Sequence, residues 1–500
     1  VYQLPQSVSP RLLNPWQTET PKMTNHTPHV LVGTAAGHSV RSVVARDEPE
    51  RQRLRAMADL KSALPDVDAF ARRGASVRAV ATTPDFHPGK PVPVGVVVDV
   101  EGAVLPHLVG NDIGCGMRMM ILDGITPDDL GDPSIERHLR HVFFQGGRDV
   151  ALTGNDRRAI LRDGMPGLIQ SISGERRGLL AKLDMAAAWS DLDRMSDAGA
   201  FATTGVDPDF DEYGAADSQF RHDAILGTIG GGNHFVELGV VEGVVDGGVA
   251  GACGIRKGAV VLVVHSGSLD FGQRIGSATR EKLRAARAAD GEDRIVAIGD
   301  PLYTRYVNGH ANAANVAFAN RFLIGLAAVE GIGRALGRDV GHSLVYDAPH
   351  NTVWERDGVV RHRKGACPAA GVGSLPGSPY EWLGEPVILP GSMGDGTWLL
   401  KGLGSVEGLS SSAHGAGRRL SRQEARAVPR PDAGLRVVGP VDPNDPMVRG
   451  RRDVLAELEG RLREEAPAAY RPIDQVVDPM VEAGLVAKVA RIVPVLTVKG

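Results

Sequence analysis

Residues Val77–Gly110, VRAVATTPDFHPGKPVPVGVVVDVEGAVLPHLVG, are valine-rich pieces punctuated by Gly and Pro, the pattern of short strands joined by tight turns. They predict a β-sheet early in the chain, with Asp85 and His87 in the turn TPDFHPGK as an Asx-type turn and a surface histidine. The run leads directly into Val109–Met117, VGNDIGCGM, where three glycines in nine residues favour a tight loop that backbone or a ligand can approach closely. Asp112 and Cys115 share that loop, and a carboxylate beside a thiolate suits a borderline-soft divalent metal. A buried structural cysteine beside a turn aspartate is the competing reading of these nine residues.

Working outward, ERQRLRAMADLKSAL spaces its apolar residues as an amphipathic helix over Glu48–Leu64, stopped by Pro65. Residues 1–28 are polar and proline-punctuated, which predicts a disordered or peripheral lead-in, with Met23 as a candidate start. Residues 133–200 carry helical patterns, notably around ERRGLLAKLDMAAAWSDLDRM, and a polar loop follows to His222. The chain of 500 residues has a formal charge of -4, which argues against a generally basic nucleic-acid coat, so any polyanion site must be local. Three scattered cysteines exclude a disulfide framework and point to a reducing compartment. No uninterrupted apolar run or signal-like N-terminus is evident, so the expected location is the cytoplasm, away from membranes.

Three further segments each deliver a histidine beside Asn or Ser. GTIGGGNHFVEL (Gly227–Leu238) carries Asn233, His234 and Glu237 after a glycine turn that matches no standard phosphate-loop order. AVVLVVHSGSLDFG (Ala259–Gly272) is an apolar strand ending in His265, and SLVYDAPHNTVWE delivers His350 and Asn351. After this strand and Gly358 comes RHRK, Arg361–Lys364, a candidate phosphate patch or a solvated loop. Farther on, His414 sits between Ser-rich and Gly-rich turns with Arg418, Arg419 and Arg422 behind it on the expected first turns of a helix. Guanidiniums there would stabilise charge during phosphoryl transfer to an imidazole. Asp112, Cys115, His234, His265 and His350 together exceed one tetrahedral site, so two ions sharing the thiolate is the economical arrangement; Mn, Zn, Fe and Co all suit this donor set.

The ordered motifs DIGCGM, GGGNHFVE, HSGS, HN, RKGA, PGSMG, HGAGR followed by SR, and the final VKG resemble the RtcB-type RNA-splicing ligases, the 3'-phosphate/5'-hydroxyl RNA ligase family, from about Pro84 to Gly500. That resemblance implies an α+β fold, a single catalytic domain over residues 29–500 built on an antiparallel sheet core flanked by helices. It implies two Mn(II) ions held by Asp112, Cys115, His234, His265 and His350, with Cys115 between them, and His414 as the nucleophile that takes guanylate from GTP. Asn233, Glu237, Asn351, Ser392, Tyr470 and Lys499 resemble the guanine-nucleotide contacts. The implied reaction joins an RNA 3'-phosphate or 2',3'-cyclic phosphate to a 5'-hydroxyl in RNA repair or tRNA splicing, through a guanylyl-histidine and an activated RNA end, with an accessory activator protein as a candidate partner.

The departures are specific. Leu269 stands where the family usually has an arginine thought to engage the RNA phosphate, and an apolar side chain makes no charge-assisted bond. Asn111, Asp395 and Thr397–Trp398 also differ from the usual pattern and mark a divergent paralogue. Two alternatives therefore accompany the ligase reading: a metal-dependent end-processing phosphoesterase that does not join RNA, and a non-enzymatic RNA-end binding factor.

Overall fold

The valine-rich run forms neighbouring strands, Ser76–His87 and Val94–Glu101, in a six-stranded sheet completed by Val30–Ala35, His38–Val43, Val359–Lys364 and Asn351–Arg356. The computed structural model describes residues 29–287, 294–428 and 436–500; the expected lead-in at 1–28 lies outside them. All pairings in this sheet are antiparallel except His38–Val43 with Ser76–His87. The first of the valine strands extends through Pro84, where a turn was expected. The ladder to its neighbour breaks between Thr82 and His87, so the missing proline N–H falls outside the regular pairing.

The RHRK segment is neither a loop nor a phosphate patch. It lies in Val359–Lys364, between two other strands, where Arg361 makes two bonds of 2.7 and 2.6 Å to Asp99. His362 accepts the Leu105 N–H at 2.9 Å, and Arg363 donates to the Ser411 hydroxyl at 2.8 Å. Burial of cations requires such partners, and only Lys364 reaches the functional cavity.

A second sheet runs in the order Gly341–Pro349, Gly116–Asp123, Val260–Ser266, Phe235–Val244, Val486–Val498, Thr397–Gly402 and Pro386–Pro390, with Arg436–Val438 pairing parallel to the long C-terminal strand. Its third strand, VVLVVHS, is buried throughout, which explains why it lacks polar alternation. Register sets His265 opposite both Met117 and Phe235, and Pro349 opposite Gly116. Cys115, His234, His265 and His350, at or one residue beyond these positions, therefore gather at one end of four adjacent strands.

Helices flank the sheets, giving the expected α+β class. Glu50–Ala63 falls within the span read from its periodicity. Around ERRGLLAKLD the chain is irregular, however, because Gly178 adopts a left-handed φ of 56° and Leu179 N–H turns to Asp149 O; the helix there is only Met185–Ser190. Helix Pro301–Leu336, capped by Asp300 and ended by Gly337 at φ 66°, packs on the second sheet. Among the described residues it alone is long and apolar enough to cross a membrane, yet 89% of its most apolar window is buried inside the protein. Its asparagines also satisfy irregular backbone: Asn312 and Asn315 both donate to Leu161 O, and Asn320 donates to Thr228 O and Gly267 O.

Candidate metal and nucleotide centre

Two triads of donor atoms share one thiol: Asp112, Cys115 and His234, and Cys115, His265 and His350, each with its donor atoms within 4.8 Å of one another. The Cys115 Sγ lies 3.3 Å from His234 Nε2 and 3.2 Å from His265 Nε2, and Asp112 Oδ2 lies 2.9 Å from His234 Nε2. Tautomers follow from the other side of each ring. His234 Nδ1 faces Ile229 O and His265 Nδ1 faces Asn233 O, both at 3.1 Å. A carbonyl can only accept, so both Nδ1 atoms donate, and loss of the other proton frees each inward-facing Nε2 lone pair for a cation.

These lone pairs meet a thiol and a carboxylate, a concentration of electron donors that suits cations. His350 is buried with Nδ1 unpartnered, a further donor that the protein itself does not satisfy. Burial holds His265 and His350 well below the usual imidazole range, and so neutral and able to ligate. Burial and the Asp112 charge raise the Cys115 thiol, whereas bound metal would favour its thiolate. Asp112 is held at about 2: burial opposes ionisation, but His234 and Lys364 outweigh it. The observed donor set thus fits the two-ion arrangement with Cys115 common to both.

Close approach is built into the loops. A Cβ at Gly267 would lie 2.2 Å from Asp112 Oδ1, and at Gly114, with φ +73°, a Cβ would lie 2.7 Å from Ala317 Cβ of the long helix. From that helix Arg321 donates to Gly114 O at 2.6 Å and Ser266 O at 3.1 Å, while Asp347 accepts its Nε at 2.8 Å. One guanidinium thus ties the Asp112/Cys115 loop to the end of the His265 strand.

His414 adjoins this centre, its ring centroid 4.8 Å from that of His350. Its Nδ1 lies 2.6 Å from Asp85 Oδ2, which also accepts the His414 backbone N–H at 3.1 Å. Thr83 donates to the other carboxylate oxygen at 2.5 Å. Burial alone would raise the Asp85 carboxyl, but the bonds and charge of His414 hold it below the usual range. A carboxylate on Nδ1–H leaves the opposite nitrogen, Nε2, with its lone pair and orients the ring. Asp85 is therefore a buried partner of His414 in place of the expected turn aspartate; the local signal was its acidic side chain between Thr83 and His87, and its partner lies 329 residues away.

The cavity in front of His414 has a volume of about 1570 Å³ and is lined by every other expected site residue except His234, whose Nε2 faces Asp112 and Cys115. Asn233, Glu237, Asn351, Ser392, Tyr470 and Lys499 all reach it. Asn351 also spans two loops, donating to Asp112 O at 3.1 Å and accepting Gly365 N–H at 2.7 Å. Buried Glu237 accepts from Thr497 and Thr397 at 3.1 and 3.4 Å; burial pushes it up to about 7 despite those bonds. Tyr470 donates to Glu465, and Lys499 lies 3.3 Å from the same carboxylate. Arg418 is already engaged by Glu465 and Tyr470, and the helix behind it starts only at Arg422, capped by Ser421; Arg418 and Arg419 precede the helix on which they were expected. Leu269 is half-buried at φ +55°, facing Gly230, and does not line the cavity.

The family profile described as "RtcB: tRNA-splicing ligase RtcB" matches residues 66–500, most of the chain and all of the centre just described. The chain belongs to the RtcB family. It is 30% identical over 444 residues to the "tRNA-splicing ligase RtcB" of Pyrobaculum aerophilum, covering 83% of this chain and 87% of that relative. It is 33% identical over 448 residues to the protein of the same description from Thermococcus kodakarensis, covering 83% and 86% respectively. Similarity to the "RNA-splicing ligase RtcB" of Mycobacterium tuberculosis is 31% over 452 residues, with 85% of this chain and 97% of the relative covered. The ordered motifs thus belong to an RtcB chain in which position 269 is leucine.

Proposed function

We propose that this protein is a GTP- and Mn-dependent RNA ligase that joins a 3'-phosphate or 2',3'-cyclic phosphate end to a 5'-hydroxyl end, with His414 carrying the guanylate. The Asp85–His414 pair supports this reading most directly. Nδ1 is held by a buried carboxylate, so Nε2 is the nucleophilic atom. Attack on the α-phosphorus of GTP would form a P–N bond and release pyrophosphate, and Asp85 would stabilise the imidazolium as it forms. Guanylate would then pass to the RNA 3'-phosphate, and attack by the 5'-hydroxyl oxygen would close the phosphodiester and release GMP.

The two triads would hold the metal ions, which when bound neutralise phosphoryl oxygens and acidify hydroxyls. Ser392, Tyr470 and Lys499 would bind the nucleotide, and Asn233 and Glu237 would position it. The natural roles consistent with this chemistry are tRNA splicing and RNA repair. Incubation with Mn(II) and α-labelled GTP is expected to label wild-type protein covalently and to leave His414→Ala unlabelled. A label surviving in His414→Ala, or absent from metal-loaded wild type, would refute the reading. Opening of a cyclic phosphate without any joined product would instead support the phosphoesterase alternative that Leu269 raised.

A further inference from the structure

Away from the nucleotide contacts, one lip of the cavity carries three arginines, Arg280, Arg284 and Arg294. Arg280 and Arg284 stand one turn apart on helix Asp270–Arg287, and Arg294 follows. Arg280 donates to Asn111 Oδ1 at 2.8 Å and to Ser277 Oγ at 3.2 Å. Arg294 donates to the carbonyl of Ser62. Among the described residues no carboxylate lies within 4 Å of the Arg280, Arg284 or Arg294 guanidinium, in contrast to Arg361 on Asp99, Arg321 on Asp347 and Arg418 on Glu465. Partial burial and the charge of Arg284 both lower the Arg280 guanidinium, so an anion there would relieve its environment.

Position and size narrow the anion. Asn111 adjoins Asp112, so Arg280 is anchored beside the metal-binding loop, whereas Tyr470 and Lys499 are tied to Glu465 on the His414 side. Pockets for single small ligands span roughly 300–1,000 Å³, and this cavity exceeds that range at about 1570 Å³. It has room for a polymer beside a nucleotide. Helix Glu50–Ala63, whose last turn holds Arg294 through Ser62 O, also lines the cavity with Arg51 and Arg55, but Asp59 shares that helix and Glu424 lies close to both arginines. Among the described residues, Arg280, Arg284 and Arg294 thus stand on the rim of the cavity without a carboxylate partner.

We infer that Arg280 and Arg284, with Arg294, form a phosphate-binding lip that holds the sugar–phosphate backbone of the RNA strand entering the metal centre, with Asn111 as the positioning residue for Arg280. This rests on the RNA-ligase reading for the identity of the polymer, and it gives the chain a cationic contact on a helix in place of one at Leu269. The test is fluorescence anisotropy with a labelled single-stranded RNA bearing a 3'-phosphate, titrated between about 50 and 200 mM salt. Each phosphate contact in single strands contributes a slope of about 0.7 in log K against log salt. Arg280→Ala and Arg284→Ala are each expected to reduce the slope by about 0.7 and weaken binding uniformly across sequences.

Arg280→Lys should keep the slope, and Asn111→Ala should weaken affinity while keeping most of it. Arg334→Ala removes an exposed arginine of the long helix, paired with Glu330, and should match wild type. Wild-type slope and affinity in the Arg280→Ala/Arg284→Ala double variant would overturn the inference, as would no RNA binding by wild type. Its failure is separable from that of the proposed function. RNA binding with the expected slope but no label from GTP would refute guanylylation and leave the lip standing; labelled protein whose RNA binding ignores both arginines would refute the lip alone.

Discussion

His234 and His265 are held by backbone carbonyls, whereas His414, in the same array of imidazoles, is held by a buried carboxylate. Both devices fix a tautomer. Only the carboxylate supplies a full negative charge, which stabilises an imidazolium, so the same ring is suited to ligation in one place and, in the proposed reaction, to nucleophilic attack in the other. The difference lies in the partner on Nδ1, not in depth: all three rings are largely buried.

The largest break in that comparison comes from removing what the ligand side shares. Cys115→Ala is expected to abolish stoichiometric Mn binding at both triads, read by electron paramagnetic resonance, and with it detectable guanylylation. Loss of one ion only would show that the thiol does not serve both. Next, Asp85→Asn keeps the shape but removes the charge and can present the wrong tautomer; the rate of label formation should fall about 10²–10⁴-fold while Mn binding is retained. An unchanged rate would reduce Asp85 to a structural role.

The smallest effect tests a buried carboxylate bonded to two threonine hydroxyls. Glu237 is raised to about 7, so the folded state binds more protons than the unfolded state between roughly pH 4.5 and 7. Its contribution is full at the acid end of that window and is lost as pH rises through 7. The thermal midpoint of metal-free protein should therefore decline across the window, and Glu237→Gln should flatten the decline by roughly 1–3 °C. A slope unchanged in the variant would assign the effect elsewhere, with buried Glu48, also raised to about 7, as the next group to test.

What could be read in advance divides along the same line. Cys115, His234, His265 and His350 were legible because each stands where a strand meets a loop, Cys115 and His234 just before a strand and His265 and His350 at the end of one. Asp85 was not, because Pro84 and Pro88 make a strand look like a turn and its meaning depends on His414, far along the chain. RHRK misled for the converse reason: consecutive cations read as solvated, but Asp99 and the Ser410–Ser411 backbone and hydroxyl groups neutralise or satisfy them inside a sheet. Local pattern reports where a side chain is delivered; the partner that determines its chemistry is a property of the tertiary structure.

Helix Pro301–Leu336 gives this a dynamic side. Arg321 fastens the Gly114 and Ser266 carbonyls, and Asn320 fastens Gly227 N–H and the Thr228 and Gly267 carbonyls, so three ligand-bearing loops hang from two consecutive residues of one buried rod. Loops ordinarily open at little cost, independently of the core. Here their amides should exchange hydrogen together with the core helix, as one cooperative unit, and apo protein should keep the ligands assembled before any ion arrives.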